Sequence, residues 1–193
     1  MSETDPFRKF NIWFEAAVAT EPKLPQAMTL ATVSADGRPS TRMVLLKDHG
    51  PQGFVFYTNL KSSKGRDLRT NSNASLCFHW KSLGRQVRID GSAILVSDEE
   101  ADAYFASRPR GSQIGAWASE QSAPVNTRDM LEARVRDIMA AYEGCDVPRP
   151  PHWSGFRVTP ARIEFWQDRP DRLHDRELFE CDGGNWHAIR LQP

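Results

Sequence analysis

The shortness of the links between its apolar runs is what most restricts the fold of this chain. Residues 27–34 and 40–47 read as strands, and Asp36-Gly37 between them has the composition of a tight hairpin turn. A parallel pair would need a crossover of about a dozen residues, so this pairing has to be antiparallel. The signature continues through a Gly/Pro break to a strand at 54–59, then at 74–80 and 85–96, the last two joined by Lys81-Ser82-Leu83-Gly84. Strands linked this briefly point to a barrel or a sandwich.

Helical periodicity fills the gaps. Asp5 can cap a helix with Pro6 in its first turn, and Phe7, Phe10, Phe14, Ala17 and Val18 then recur on one face. The polar stretch 62–70 fits one short helix. Ser97-Asp98-Glu99-Glu100 has capping-box form and opens a helix through Tyr104 and Phe105 that stops near Pro109. Another helix is expected over 127–142, with Leu131, Val135, Ile138, Met139 and Tyr142 on one stripe and Gly144 beyond its end. After an extended connector at 148–151, strands are expected at 155–159 and 161–167, and a last hairpin turns at Gly183-Gly184. Between them, residues 168–176 form a polar interruption that crowds Arg172, His174 and Arg176 together, a loop composition prone to chemistry. The expected fold is one α+β domain, mainly β.

At 193 residues the chain has the length of about one domain, and its 25 Lys plus Arg balance 25 Asp plus Glu. Zero net charge argues against general binding to nucleic acid or to a membrane surface, both of which call for a surplus of cations. Yet the cations are 19 Arg and only 6 Lys. Arg grips phosphates and carboxylates bidentately, so the bias points to internal anion sites, with genome base composition as the plain alternative. MSETDPFRKF contains no apolar leader and no apolar run is long enough to span a bilayer, which makes the cytoplasm the expected location. Cys77, Cys145 and Cys181 are odd in number and widely spaced, as in a reducing compartment, and no metal site is expected from the Cys/His spacings.

Four groups could carry chemistry. Arg42 and Lys47 bracket an apolar run and, by strand alternation, project to opposite faces, where two cations could serve two anions. Tyr57-Thr58-Asn59 followed by Lys61-Ser62-Ser63-Lys64 combines hydroxyls, a helix start and an ammonium, the parts of a phosphate cradle. Tyr104 and Arg108 are four apart and share a helix face, with Arg110 and Ser112 just beyond, which suits a second phosphate. Trp117, Gln121-Ser122, Trp166 and residues 172–176 set large aromatics beside amides and guanidinium groups, as a planar heterocycle requires. Taken singly, each also reads as a solvated strand end, a plain cap or a core aromatic. His174 and Asp175 are neighbours on an extended chain and point apart, and no GxSxG elbow, GxGxxG or Walker loop is present.

Taken in order, RMVLLK, FYTN, RQVRIDG, YFASRPRGSQIGAWAS, QS, PPHWSGFRV, IEFWQ and RLHDR closely resemble the pyridoxamine 5′-phosphate oxidase family over nearly the whole chain. The resemblance implies an FMN-binding split β-barrel, antiparallel and Greek-key-like with flanking helices. Residues 1–193 would form one such domain, the part from about 150 to 193 completing barrel and active site. It also implies a homodimer with FMN at the subunit interface, held by Arg42, Met43, Val44, Leu45, Leu46, Lys47, Tyr57, Thr58, Ser63, Lys64, Gln86, Gln121, Ser122, Trp166 and Arg176. By the same resemblance Lys47, Tyr104, Arg108 and Ser112 would hold the substrate phosphate. Arg172, Leu173 and His174 would lie at the reacting end of the ring, with Arg172 and His174 as the catalytic, orienting pair.

The implied activity is FMN-dependent oxidation of pyridoxamine 5′-phosphate and pyridoxine 5′-phosphate to pyridoxal 5′-phosphate, with O2 as acceptor and H2O2 as product. No nucleic acid, membrane or metal takes part. Ser63 stands where the family commonly has Arg, which removes one phosphate contact, and the segment before the first helix is shorter than the basic arm of many members. Two other readings stand beside it: an oxidase of another aromatic metabolite, as in phenazine biosynthesis, which would keep the FMN residues, and a non-catalytic flavin- or pyridoxal-phosphate-binding protein.

Overall fold

Antiparallel pairing organises the whole chain, which the computed structural model describes from residue 5 to residue 193. The first half holds α1 (Pro6–Thr20), β1 (Ala27–Val33), β2 (Pro39–Leu45), β3 (Asp48–Gly50), β4 (Gly53–Asn59), α2 (Ser63–Thr70), β5 (Asn73–Trp80) and β6 (Arg85–Leu95). Then come α3 (Asp98–Ser107), α4 (Arg110–Ala118), α5 (Arg128–Ala141), β7 (Trp153–Gln167), β8 (Asp175–Asp182) and β9 (Asn185–Leu191). The sheet order is β2-β1-β5-β6-β7-β4-β3, with β8 added to β7 and β9 to β8. Met28 and Leu30 of β1, Phe54 and Phe56 of β4, Phe78 of β5 and Phe179 of β8 share one buried cluster. Strands so far apart in the order meet in one core only because the sheet curls into a half-barrel, as the split-barrel expectation requires.

Period-two burial explains the strands. Along β1, half-buried residues alternate with the buried Met28, Leu30 and Thr32, so one face of the strand is spent on the core. The helix α1 starts where the Asp5 carboxylate accepts from the N–H groups of Phe7 at 2.9 Å and Arg8 at 3.3 Å. It docks by Phe10, which is wholly buried with its ring centroid 4.9 Å from Phe54 and 5.3 Å from Phe78. Truncating such a ring to Ala costs about 3–5 kcal/mol. Val18 leaves the expected stripe and is 56% exposed, while Trp13 packs edge-on to Phe165 instead.

Besides β3, which pairs with β4 inside the expected Gly/Pro break, three elements depart from expectation. The two strands expected at 155–159 and 161–167 are one strand, β7, because Pro160 is absorbed rather than obeyed as a break. Pro160 has no N–H to donate, and β6 meets it with a register shift between Asp90 and Gly91. A Cβ on Gly91 would sit 2.1 Å from the Thr159 carbonyl oxygen, so only glycine permits the approach. The second departure is α4, whose Gly111 and Gly115 hide its helical pattern. Tertiary contacts fix it: Ile114 is buried and Gln113 Nε2 donates to the Phe105 carbonyl at 3.0 Å. Third, β8 begins at Asp175, which moves Arg176 from the expected loop onto a strand beside Trp166. Among the described residues no helix is long and apolar enough to cross a membrane.

Candidate active site

A cleft of about 700 Å³ opens where β4 and the start of β7 meet α2, α3 and α4. Its floor is set by β4, which carries Tyr57, Thr58 and Asn59 to the strand end, where the chain turns into α2. Ser62 caps α2, donating to the Asn59 carbonyl at 2.6 Å and accepting from Gly65 N–H at 3.3 Å. Gly65 is required there, since a Cβ would lie 2.5 Å from the Leu60 carbonyl oxygen. This tight start turns Lys64 inward. Its Nζ donates to Thr58 Oγ1 at 3.1 Å and Ser62 Oγ at 3.3 Å, and it has no carboxylate partner among the described residues. Burial, reinforced by the nearby Arg42 charge, holds the Lys64 ammonium below the usual lysine range. A buried cation satisfied only by hydroxyls fits an incoming anion at a helix start.

The opposite wall is aromatic. The rings of Tyr57 and Tyr104 stack at 4.0 Å and those of Tyr57 and Trp153 at 5.3 Å, all within 13° of parallel. Tyr57 lies flat because its cross-strand partner is Gly155, where a Cβ would come within 2.8 Å of the ring. Burial, with the Glu100 charge adding to it, pushes the Tyr57 phenol up to about 12, so it stays a neutral donor. Arg108 follows α3 and lays its guanidinium 4.6 Å from the Trp153 centroid. Its Nη1 is buried and has no hydrogen-bond partner. Desolvation pulls the Arg108 pKa down, opposed by Tyr104. Lys47 Nζ stands 5.8 Å from the Tyr104 ring, and Ser112 lines the same side.

Of the residues expected to act, Met43, Val44, Leu45, Lys47, Tyr57, Thr58, Lys64, Tyr104, Arg108, Ser112 and Gln121 line this one cleft. Ser63 and Ser122 adjoin it, with Ser63 N–H donating to Ser122 Oγ at 3.4 Å. Arg66 reaches over Ser63, its Nη2 3.5 Å from the hydroxyl. Arg42 turns its Nη1 to Thr32 Oγ1 at 2.7 Å, with Asp67 at 3.8 Å from Nη2, and Leu46 is buried in the core.

The rest assemble elsewhere. Gln86 on β6 and Arg176 on β8 flank Trp166 on β7, whose ring centroid is 4.6 Å from that of His174. His174 Nδ1 lies 3.1 Å from Asp168 Oδ1, and Asp175 pairs instead with Arg169. Arg176 donates through Nε to Glu164 at 2.7 Å. Asp171 and Arg172 take consecutive left-handed conformations, φ 58° and 62°, and the adjoining Leu173 is 68% exposed. None of Gln86, Trp166, Arg172, Leu173, His174 or Arg176 touches the cleft.

Sequence reasoning passed over Trp153, Ser119 and Ser107, which line the cleft. Trp153 is buried like a core aromatic, and only the cation above its face marks another use.

Residues 14–142 match the family described as pyridoxamine 5′-phosphate oxidase, and residues 153–193 match the pyridoxine 5′-phosphate oxidase C-terminal dimerisation region. A pyridoxine/pyridoxamine 5′-phosphate oxidase of Sphingopyxis alaskensis is 59% identical over 98% of this chain and 88% of its own length. One from Zymomonas mobilis is 58% identical over 98% of both. Among solved structures, PhzG from Burkholderia lata 383 in complex with tetrahydrophenazine-1-carboxylic acid superposes with a TM-score of 0.94 at 33% identity, covering 100% of this chain and 94% of that one. A pyridoxamine 5′-phosphate oxidase-related FMN-binding protein from Nostoc punctiforme shares the fold, with a TM-score of 0.78 at 16% identity over 98% of each chain.

Proposed function

The chain belongs to the pyridoxamine 5′-phosphate oxidase family, and from that premise we propose that its cleft seats two phosphates, one from FMN and one from the vitamer it oxidises. The reaction is the oxidation of pyridoxine 5′-phosphate and pyridoxamine 5′-phosphate to pyridoxal 5′-phosphate. One observation carries the two-phosphate reading: Lys64 and Arg108 are cations of a single cleft, and neither has a carboxylate partner among the described residues. A desolvated cation left without a counter-ion is costly unless a ligand supplies one.

The residues present fit FMN at the Lys64 end. Lys64, the Thr58 and Ser62 hydroxyls and the first turn of α2 would hold its phosphate, with Gln121 and Ser122 at the rim. When bound, FMN supplies the two-electron acceptor, with O2 as final oxidant and H2O2 as product. At the other end Arg108, Lys47 and Ser112 would fix the vitamer phosphate, Tyr57 and Trp153 would exclude water, and Tyr104 would close the side.

Arg172 and His174 act as orienting groups brought by a second copy, since neither lines the cleft of its own chain. The dimerisation match of residues 153–193 and the exposed Leu173 at the strained loop support a homodimer. Free thiols at Cys77, Cys145 and Cys181 support a reducing, cytoplasmic setting.

The test is aerobic incubation of the protein and FMN with pyridoxine 5′-phosphate, following pyridoxal 5′-phosphate and peroxide. Turnover of the vitamer is expected. The likeness to PhzG favours one rival, an oxidase of a phenazine carboxylate. Oxidation of a reduced phenazine with none of either vitamer would establish the rival instead.

A further inference from the structure

Arg108 has lost the usual means of being held in place. It lies just past the last turn of α3 with extended backbone angles, φ −74° and ψ 148°, and no carboxylate reaches it among the described residues. A free arginine side chain carries rotamer entropy that binding would have to remove. Arg149, in contrast, is clamped between Asp98 at 2.7 Å and Asp102. Clamping of that kind would defeat a residue meant for phosphate, because the carboxylate would compete with the ligand.

What faces Arg108 instead is an indole. Trp153 opens β7 opposite Asn59 of β4, is 6% exposed, and presents its face 4.6 Å from the guanidinium carbon. The Phe105 ring, edge-on to Trp153 with centroids 5.0 Å apart, lies 5.5 Å from the same carbon and flanks the indole. Trp153 is itself kept in plane by Tyr57, 6° from parallel, and Tyr57 by the bare backbone of Gly155. The ring quadrupole orients a cation without neutralising it.

Resting on the phosphate reading above, we infer that Trp153 is a positioning residue for Arg108 and sets the cleft's preference for a phosphate ester over the unphosphorylated alcohol. It holds the guanidinium at one pose while leaving Nη1 unpaired for the ligand. An alcohol lacking the phosphate would leave that buried N–H unsatisfied, which is the stronger form of rejection.

The experiment is a double-mutant cycle on the FMN-loaded protein with pyridoxine 5′-phosphate. Trp153→Leu should raise KM about tenfold, the loss of one desolvated cation–π contact, while lowering kcat by much less. Arg108→Gln should raise KM further, and the double variant should be no worse than Arg108→Gln alone. Effects that multiply, or an unchanged KM in Trp153→Leu, would overturn the proposal. Trp153→Phe keeps a smaller ring and takes the same place in the cycle if Trp153→Leu does not fold: a smaller coupling of the same sign supports the proposal, strict additivity refutes it. Should the unsubstituted protein oxidise no phosphorylated vitamer, the oxidase reading fails on its own. The cycle is then read from inorganic phosphate binding by calorimetry, where coupled losses of affinity support the positioning role and additive losses refute it.

Discussion

Two regions of this molecule use the same residue types in opposite ways. In the cleft, Lys64 is buried against hydroxyls and Arg108 half-buried against ring faces. On the face where β6, β7 and β8 run together, the cations are matched internally. Glu164, 7% exposed, takes Arg176 on one oxygen at 2.7 Å and Arg88 on the other at 3.4 Å, while Asp175 takes Arg169 at 2.6 Å. The first region is incomplete without an anion and the second is complete as it stands. Arg176, expected to serve the flavin, has its Nε already committed to Glu164.

Substitutions should divide along the same line. The largest effect is expected from Glu164→Ala, which strips Arg176 of its carboxylate and leaves Arg88 only Asp90 at 3.7 Å; it should lower folding stability by about 2–3 kcal/mol, below the full buried-pair value because Arg88 and Arg176 are part-exposed. A denaturant midpoint equal to that of the unsubstituted protein would erase the distinction between the regions. Next, Lys64→Met should weaken FMN binding by about 1.5–3 kcal/mol, measured by fluorescence titration, yet leave the FMN-free protein no less stable.

The pH dependence sharpens this further. The folded-state pKa of Lys64 is depressed, so between it and the ordinary lysine value the unfolded chain binds more protons. Stability of the FMN-free protein should thus rise with pH through that alkaline interval, and Lys64→Met should flatten the rise. A slope untouched by the substitution would assign it to other groups. The smallest effect is expected at Ser63. Because Arg66 already reaches its hydroxyl, Ser63→Arg should tighten FMN by less than about 1 kcal/mol. A larger gain would show that Arg66 does not replace the missing contact.

The hairpins were legible because alternation and an Asp-Gly turn are local signals, and local signals survive into the fold. Pro160 and the two glycines of α4 misled for the same reason: each was judged by local rules, and a bulge at Gly91 and a buried Ile114 overruled them. The site was half legible. Lys64 with Thr58, and Tyr104 with Arg108, announce themselves because their partners are near in sequence. Trp153 does not, since its function depends on a cation from another element. Nor does any stretch of sequence disclose that Arg172 and His174 lie away from the cleft they were expected to share.

That separation has a measure in β7. Trp153 stands at one end of the strand, inside the cleft, and Trp166 near the other, beside His174. At about 3.3 Å per residue the strand between them is roughly 40 Å of contour, followed along a curled sheet. In the proposed homodimer each working site is thus drawn from two chains. Below the dissociation constant of the pair, turnover should fall with the square of chain concentration while each chain keeps its own curled sheet.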